Sequence, residues 1–260
     1  MKAARTLRTQ EPLPWDVRVT NATAAVFAAV AALVLLSVLA MWVARQPAFA
    51  LRAIYLEGDV ARNGVQTIRA NAAPRLSGNF FSVNLAASRA AFESLPWVRK
   101  AVVRRVFPNR LAVRLEEHRP AAFWGDAGDQ IVNTFGEVFQ ANPGDVDDEL
   151  PTFEGPAGSA ALMLALHERL SPIFAPERVA ELSLSGRGSW RLRLDDGASI
   201  ELGRGSVDEI AARTERFVAT VAQVAQRHGS TLVHADLRHR DGYALRLKGI
   251  TTSVDRKTRN

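Results

Sequence analysis

The stretch VRKAVVRRVFPNRLAVRLEE, residues 98–117, decides the fold of the first half of the chain. Its two arms, 98–106 and 111–117, are predicted to form two strands. The quartet Phe107-Pro108-Asn109-Arg110 between them is rich in turn-forming residues. The sequence therefore predicts a β-hairpin here.

The segments before the hairpin complete a small domain. Residues 85–95 repeat apolar side chains at helical spacing, after Asn84 as the N-cap and before Pro96 as the stop. Residues 60–73 show a similar helical spacing, and residues 51–57 alternate like a strand. The order is strand, helix, helix, strand, strand. It predicts two helices on one face of a three-stranded sheet, with the other face and the edges free to bind a partner.

Further outward, residues 22–44 read ATAAVFAAVAALVLLSVLAMWVA, in which only Thr23 and Ser37 are polar. A helix of this length reaches about 35 Å and can cross a hydrocarbon core of about 30 Å. A cleaved signal peptide is the alternative, with cleavage at Ala48-Phe49-Ala50. The apolar run is longer than the roughly 7 to 15 residues of a signal peptide, so we favour an uncleaved membrane anchor.

The cations around this span predict its orientation. More of them precede the span than follow it closely: Lys2, Arg5, Arg8 and Arg18 against Arg45 and Arg52. The positive-inside rule then leaves a tail of residues 1–21 in the cytoplasm and exports everything after the span. The net charge of +6, from 33 Lys and Arg against 27 Asp and Glu, therefore lies mostly away from the chromosome, which argues against nucleic acid as a partner.

The second half of the chain has short apolar pieces separated by Gly, Asp and Asn, which predict short antiparallel strands. Two helices interrupt them, the first at 159–170 ended by Pro172 and the second at 207–228. The predicted strands are 122–124, 130–132, 137–139, 179–184, 190–194, 199–202, 231–237 and 243–248. The polar segment 251–260 is expected to fray.

Several local signatures, in order along residues 20–248, resemble those of the FtsQ/DivIB family of bacterial cell-division proteins. They are Leu95-Pro96-Trp97-Val98, Ala101-Val102-Val103-Arg104-Arg105, Phe107-Pro108-Asn109-Arg110-Leu111, Glu116, Arg119-Pro120-Ala121-Ala122-Phe123-Trp124, residues 129–139, Leu150-Pro151 with Gly155-Pro156, Ser189-Trp190-Arg191-Leu192, Leu202-Gly203 and Asp236-Leu237-Arg238.

The resemblance implies an α+β fold with one N-terminal transmembrane helix. A POTRA domain of β-α-α-β-β order follows the helix, and then a curved antiparallel β domain with flanking helices. The expected boundaries are a cytoplasmic tail at 1–21, the transmembrane helix at 22–44, a linker at 45–50, the POTRA domain at 51–118, the β domain at 119–250 and a flexible tail at 251–260.

The resemblance also implies a function, that of a non-enzymatic scaffold of the divisome in the inner membrane at the septum. Such a protein binds FtsB and FtsL in the periplasm, links early cytoplasmic to late periplasmic division proteins, and meets other divisome proteins through its POTRA domain and transmembrane helix. It uses no cofactor or metal. The family's main FtsB contact is strand addition to the last strand, assisted by the preceding helix.

Carried over by position, the FtsB-binding residues are Arg238, His239, Asp241, Gly242, Tyr243, Ala244, Leu245 and Leu247. Many relatives have aromatic residues where this chain has His239 and Leu247. Backbone pairing survives these differences, whereas the side-chain anchor is expected to move to Tyr243.

Two other classes compete with a division scaffold. One is a membrane-anchored periplasmic enzyme, but the serines lie in no GxSxG or SxxK setting and the chain has no cysteine. The other is a POTRA-containing secretion or outer-membrane assembly component, for which the chain is too short. His234, Asp236 and His239 could bind zinc, and Asp147-Asp148-Glu149 could bind calcium, although solvated polar residues are the favoured interpretation of both.

Two further sets of residues have a structural and a functional interpretation. Trp97, Trp124 and Trp190 are expected to be buried or half-buried anchors rather than a sugar-binding platform. A basic cluster in and beside the hairpin is expected to be a solvated sheet face, with a partner or lipid contact as the alternative. Its members are Arg99, Lys100, Arg104, Arg105 and Arg110.

Overall fold

In the computed structural model, a long N-terminal helix precedes a small and a large β-sheet. The structure describes residues 14–58, 62, 64–76, 78–125, 128–147, 149–239 and 242–249. Helix α1 (Trp15–Ala44) buries none of its residues. Among the described helices it is the one that is long and apolar enough to cross a membrane. It confirms the apolar helix of the sequence analysis and begins at Trp15 rather than at residue 22.

The small sheet has the predicted order of strand, helix, helix, strand, strand. Its elements are β1 (Ala53–Gly58), α2 (Val65–Ala72), α3 (Leu85–Glu93), β2 (Val98–Val106) and β3 (Arg110–Glu117). Strand β3 lies in the middle, parallel to β1 and antiparallel to β2. The start of the helix predicted at 60–73 lies partly outside the described residues.

Local chemistry explains this small domain. The Asn84 side chain accepts a hydrogen bond from the Ala87 N–H at 3.0 Å, which confirms the predicted N-cap of α3. Phe92 is fully buried between α3 and the sheet, in a core that includes Val98 and Val113. Gly58 has φ +99°, and a Cβ there would lie 2.3 Å from the Leu115 carbonyl oxygen, so β1 can approach β3 only with glycine at this position.

The large sheet has nine strands in the order β12-β11-β10-β9-β8-β7-β4-β5-β6. The strands are β4 (Pro120–Trp124), β5 (Gln130–Asn133), β6 (Val138–Gln140), β7 (Thr152–Glu154), β8 (Val179–Leu184), β9 (Trp190–Leu194), β10 (Ser199–Gly203), β11 (Leu232–Asp236) and β12 (Ala244–Leu247). Helices α4 (Ala160–Phe174) and α5 (Val207–His228) pack together beside it, and short 3₁₀ turns lie at Pro47–Phe49, Ala73–Arg75 and Pro143–Asp145.

The large sheet is mixed, whereas the sequence predicted antiparallel pairing throughout. The pairs β4–β7, β7–β8 and β10–β11 are parallel. Helix α4 connects β7 to β8, and helix α5 connects β10 to β11. A helical crossover returns the chain to the same end of the sheet, so the strands that it joins run in the same direction.

Helix α4 also continues through the proline that was predicted to end it. Pro172 lies inside the helix, which ends only at Phe174. A proline in the last turn still removes one backbone hydrogen bond, because the N–H at that position would have donated to the carbonyl four residues earlier. Leu170 and Phe174 are both buried there, so packing outweighs the missing bond.

The three tryptophans occupy the anchor positions predicted for them. Trp97 and Trp190 are each 3% exposed, and Trp124 is half-buried. Trp190 belongs to the core of the large sheet, with Phe153 and Phe217. Their burial excludes an open sugar-binding platform made of these three rings.

The two sheets meet at an aromatic junction formed by Trp97, His118 and Phe139. The Trp97 ring packs edge-on against Phe139 at 5.3 Å, and the His118 ring stacks on Phe139 at 4.0 Å. Beside them, Arg99 of β2 donates hydrogen bonds of 2.7 Å both to Glu116 of β3 and to Glu137, which precedes β6. Aromatic contacts and an ion-pair network therefore join the small domain to the end of the large sheet.

The junction predicts a dependence of stability on pH. Burial lowers the pKa of His118 below its usual value, so its imidazole is neutral at pH 7. Because the unfolded chain binds a proton near pH 6.5, the stability that neutral His118 provides is complete above that pH and decreases below it. Between pH 7.5 and 5.5, urea unfolding of residues 46–260 should show a larger loss in the wild type than in His118→Phe. Equal losses would contradict this assignment.

Candidate partner-binding edge

Strand β12 is the outermost strand of the large sheet. It pairs with β11 on one side, with Asp236 opposite Ala244 and His234 opposite Arg246. Within the described residues no strand pairs with its other side. An outer strand of this kind presents unpaired backbone N–H and C=O groups to a potential partner.

The hydrogen bonds of β11 show which groups of β12 are unpaired. The Leu237 N–H donates to the Glu201 carbonyl at 2.8 Å, so this residue directs its backbone towards β10. Successive residues of a strand alternate in direction, so Asp236 directs its backbone to the opposite side, towards its partner Ala244 in β12. The same alternation along the last strand gives the residues whose N–H and C=O groups point to the open edge: Tyr243, Leu245 and Leu247.

A groove of about 540 Å³ lies beside this edge. It is lined by Arg213, Arg216, Phe217, Thr220, Leu237, Arg238, His239, Gly242 and Tyr243. Three of these residues are arginines and none is acidic. The groove is therefore electropositive and favours a partner that supplies carboxylates.

Arg238 is held in one orientation by Asp236. Its Nε donates to Asp236 Oδ1 at 2.9 Å, and its Nη2 donates to Oδ2 at 2.6 Å. This two-point hydrogen bond holds the pKa of Asp236 down to about 2. Gly203, with φ +80°, makes room for the pair, because a Cβ there would lie 3.0 Å from the Arg238 Cγ.

The other two arginines come from α5. The guanidinium of Arg213 donates to the carbonyls of Leu202 and Arg204, which places it at the end of β10. The Nε of Arg216 donates to the Ala212 carbonyl at 3.3 Å, so its side chain lies along the helix. Neither makes an ion pair within the described part of the chain, which leaves both charges available to a partner.

Tyr243 fixes the start of β12 on α5. Its hydroxyl is 2.6 Å from Thr220 Oγ1, and its ring packs edge-on against Phe217 at 5.1 Å. The ring of Tyr243 is half-buried without any partner. This side chain, which is expected to anchor a partner, therefore also anchors the start of β12 to α5 within the protein.

The structure brings most of the predicted partner-binding residues to this edge. Arg238, His239, Gly242 and Tyr243 line the groove. In β12 itself Ala244 is exposed, Leu245 half-buried and Leu247 buried. Asp241 lies outside the described residues. Residue-level sequence reasoning missed Arg213 and Arg216, which are three positions apart and share one side of α5, a spacing that could have indicated them.

The residues considered for metal binding have other contacts. His234 Nδ1 is 2.8 Å from Ser199 Oγ, and Asp236 is bound to Arg238. Glu149 forms an ion pair with Arg178, and Asp148 lies outside the described residues. Among the described residues, no group of three or more His, Asp or Glu side chains is arranged to hold a metal ion.

Several side chains of the basic cluster make contacts within the protein. Arg104 pairs with Glu57 at 2.9 Å, Arg105 donates to the Val83 carbonyl at 2.8 Å, and Arg110 lies over the Tyr55 ring at 5.3 Å. Lys100 and Arg104 are exposed. These contacts fit the solvated sheet face that the sequence analysis favoured.

The arrangement defines a class of protein: an apolar N-terminal helix, a small βααββ domain of the POTRA type, and a large mixed sheet whose last strand has an open edge. Comparison with family models agrees with this description. Residues 49–118 match the POTRA domain of the FtsQ type, and residues 122–238 match the C-terminal region of the cell division protein FtsQ/DivIB.

Curated relatives give the same result over most of the chain. The cell division protein FtsQ of Burkholderia pseudomallei is 43% identical over 243 residues, which cover 92% of this chain and 96% of the relative. That of Thiomonas arsenitoxydans is 37% identical, covering 95% of this chain and 93% of the relative. That of Bordetella pertussis is 40% identical, covering 89% and 92%. The chain belongs to the FtsQ/DivIB family of cell-division proteins.

The groove predicts a specific change in a pKa. Replacing Arg238 with Gln removes the two-point hydrogen bond, so the pKa of Asp236 should rise from about 2 towards its ordinary value of 3.8. At pH 3, carboxyl NMR should then show Asp236 ionised in the wild type and mostly protonated in Arg238→Gln. Arg246→Gln is the matched control, because Arg246 is exposed on β12 and makes no bond to Asp236. The same titration curve in all three proteins would contradict the prediction.

Proposed function

We propose that this protein is a non-enzymatic scaffold of the divisome that binds FtsB and FtsL in the periplasm by strand addition to β12. The observation that supports this most directly is the open edge of β12 beside an electropositive groove. Backbone hydrogen bonds provide affinity in strand addition, and neighbouring side chains provide specificity. Both are present at one place on the surface.

In this proposal a strand of FtsB pairs with the outward backbone groups of Tyr243, Leu245 and Leu247. Carboxylates next to that strand bind the guanidinium groups of Arg213 and Arg216 on α5. Arg238 contributes less net charge, because Asp236 already pairs with it. The helix therefore selects the partner, while the strand supplies most of the hydrogen bonds.

The same proposal assigns a topology. Helix α1 crosses the inner membrane once at the septum, with residues 1–21 in the cytoplasm and the rest in the periplasm. The POTRA domain at 51–118 and the transmembrane helix recruit other divisome proteins, and the β domain at 119–250 holds the FtsB/FtsL edge. The length and apolar composition of α1 support the span, and the excess of cations before it supports the orientation.

An enzyme would need titratable groups that converge in a pocket. A second cavity, of about 510 Å³, lies between Glu154, Ser183 and Arg191 at the face of the large sheet. Its Arg191 pairs with Glu201, and its remaining charged group, Glu154, is exposed to solvent. This pairing favours the scaffold over the anchored enzyme.

Strand addition can be tested at one backbone N–H. Leu245→Pro removes an outward donor and puts a proline ring where the added strand would lie, whereas Leu245→Ala shortens the same side chain and keeps the donor. In a titration of residues 46–260 with the periplasmic part of FtsB joined to that of FtsL, the Pro variant should bind at least about tenfold more weakly than the Ala variant.

Two measurements make this comparison decisive. The thermal unfolding of both variants shows that the fold remains, since an edge strand can lose an outward donor without losing its core. The double variant Arg213→Glu/Arg216→Glu should bind more weakly than the wild type, and its affinity should depend less on the salt concentration. If the Pro and Ala variants bind alike, the partner does not add a strand at β12, and if the wild type does not bind at all, the proposed partner is wrong.

A further inference from the structure

Four phenylalanines from three separate parts of the sequence meet at the end of the small domain nearest to α1. The rings of Phe49 and Phe81 are 4.9 Å apart, those of Phe80 and Phe81 5.2 Å, and those of Phe80 and Phe107 5.9 Å. We call these four side chains the phenylalanine cluster. Its members come from the linker after α1, from the loop before α3 and from the β2–β3 turn.

The cluster is not a buried core. Phe107 is 71% exposed and Phe81 is 52% exposed, while Phe49 and Phe80 are half-buried beneath them. Each of the two exposed rings packs against Phe49 and Phe80 on one side and leaves apolar area in water that a covering surface would remove. Two exposed aromatic side chains in one cluster indicate a surface that is covered in the working protein.

Hydrogen bonds attach the cluster to the end of α1. The Asn79 side-chain N–H donates to the carbonyl of Ala44, the last residue of the helix, at 2.7 Å. The Phe80 N–H donates to the Phe49 carbonyl at 2.9 Å, and the Asn109 side chain donates to the Ala48 carbonyl at 3.3 Å. The loop and the turn that hold three of the rings are thus bonded directly to the last residue of α1 and to the linker that holds the fourth.

This attachment determines what lies next to the cluster. If α1 spans a bilayer, Trp42 near its end lies at the lipid headgroups, as interfacial tryptophans do. Ala44 is two residues further on, and Asn79 contacts it directly. The exposed rings of Phe81 and Phe107 are therefore at the depth of the headgroups or immediately above them.

Charges around the cluster also suit a lipid surface. Arg45 and Arg52 are exposed on either side of the linker, and neither makes an ion pair within the described part of the chain. Lipid phosphates are anions at that height and attract nearby cations.

We infer that the phenylalanine cluster docks the small domain on the surface of the bilayer that α1 crosses, with the rings of Phe81 and Phe107 inserted among the headgroups. The protein is then held at the membrane by two elements, the span and a docked domain. This orients the small sheet relative to the membrane instead of leaving it on a free linker. The inference rests on the proposed membrane topology.

The absence of cysteine from the chain makes a direct test available. Single variants Phe81→Cys and Phe107→Cys of the full-length protein carry a nitroxide label in vesicles of equal parts phosphatidylethanolamine and phosphatidylglycerol. Oxygen concentrates in lipid, whereas a nickel chelate stays in water. The ratio of oxygen to nickel relaxation should be several-fold higher at both positions than at two exposed apolar controls, Val102→Cys in the same domain and Leu162→Cys on α4.

Ser37→Cys, in the middle of α1, separates the possible failures. A label at 37 inside lipid, with labels at 81 and 107 as accessible to nickel as the controls, overturns the docking and leaves the membrane anchor intact. A label at 37 in water overturns the anchor and the docking together. Spin–spin broadening at 81 and 107 that grows with the ratio of protein to lipid means that a second copy covers the cluster, which also overturns docking on lipid.

Discussion

The packing of Trp97 and His118 against Phe139 is the contact on which the arrangement of the two domains depends. It lies where β2 and β3 of the small sheet meet the β5–β6 end of the large one. Arg99 strengthens the contact by binding a carboxylate from each side. Without this junction and the neighbouring hydrogen bonds from Arg62 and Trp97 to Asp145, the described parts of the two domains would be connected mainly by the chain at residues 118–119. With it, the open edge of β12 keeps a fixed relation to the part of the small domain that lies next to α1.

Much of the fold was predictable from local pattern. The hairpin at 98–117 and helix α5 have bounds within a residue of those expected, because turn residues mark the hairpin and amphipathic spacing marks the helix. The extension of α4 past Pro172 was not predictable from the sequence, since it depends on how Phe174 packs in the finished core. The parallel pairs of the large sheet were missed for a similar reason. Strand direction depends on where a crossover helix returns the chain, which residue spacing does not reveal.

The candidate site also combines residues that the local sequence indicates with residues that only the tertiary fold brings together. The predicted residues between Arg238 and Leu247 are close in sequence and match a family pattern, and the structure places the described ones at or beside the open sheet edge. Arg213 and Arg216 belong to the same groove but come from a helix more than twenty residues earlier. The phenylalanine cluster is more scattered still, since Phe49, Phe80 and Phe107 meet only through the tertiary fold. Such groups have no local signature.

An open edge strand must accept one partner and refuse others, including a second copy of the same chain. Strand β12 has four residues, and Arg246 is exposed in its middle, both of which discourage edge-to-edge aggregation. Pairing of two copies at this edge would also bring two electropositive grooves together and bury uncompensated positive charge. An acidic partner removes this penalty, because its carboxylates neutralise the groove as its strand joins the sheet. In the proposed strand addition, the arginines of α5 thus protect the unpaired edge of β12 until a partner of opposite charge binds.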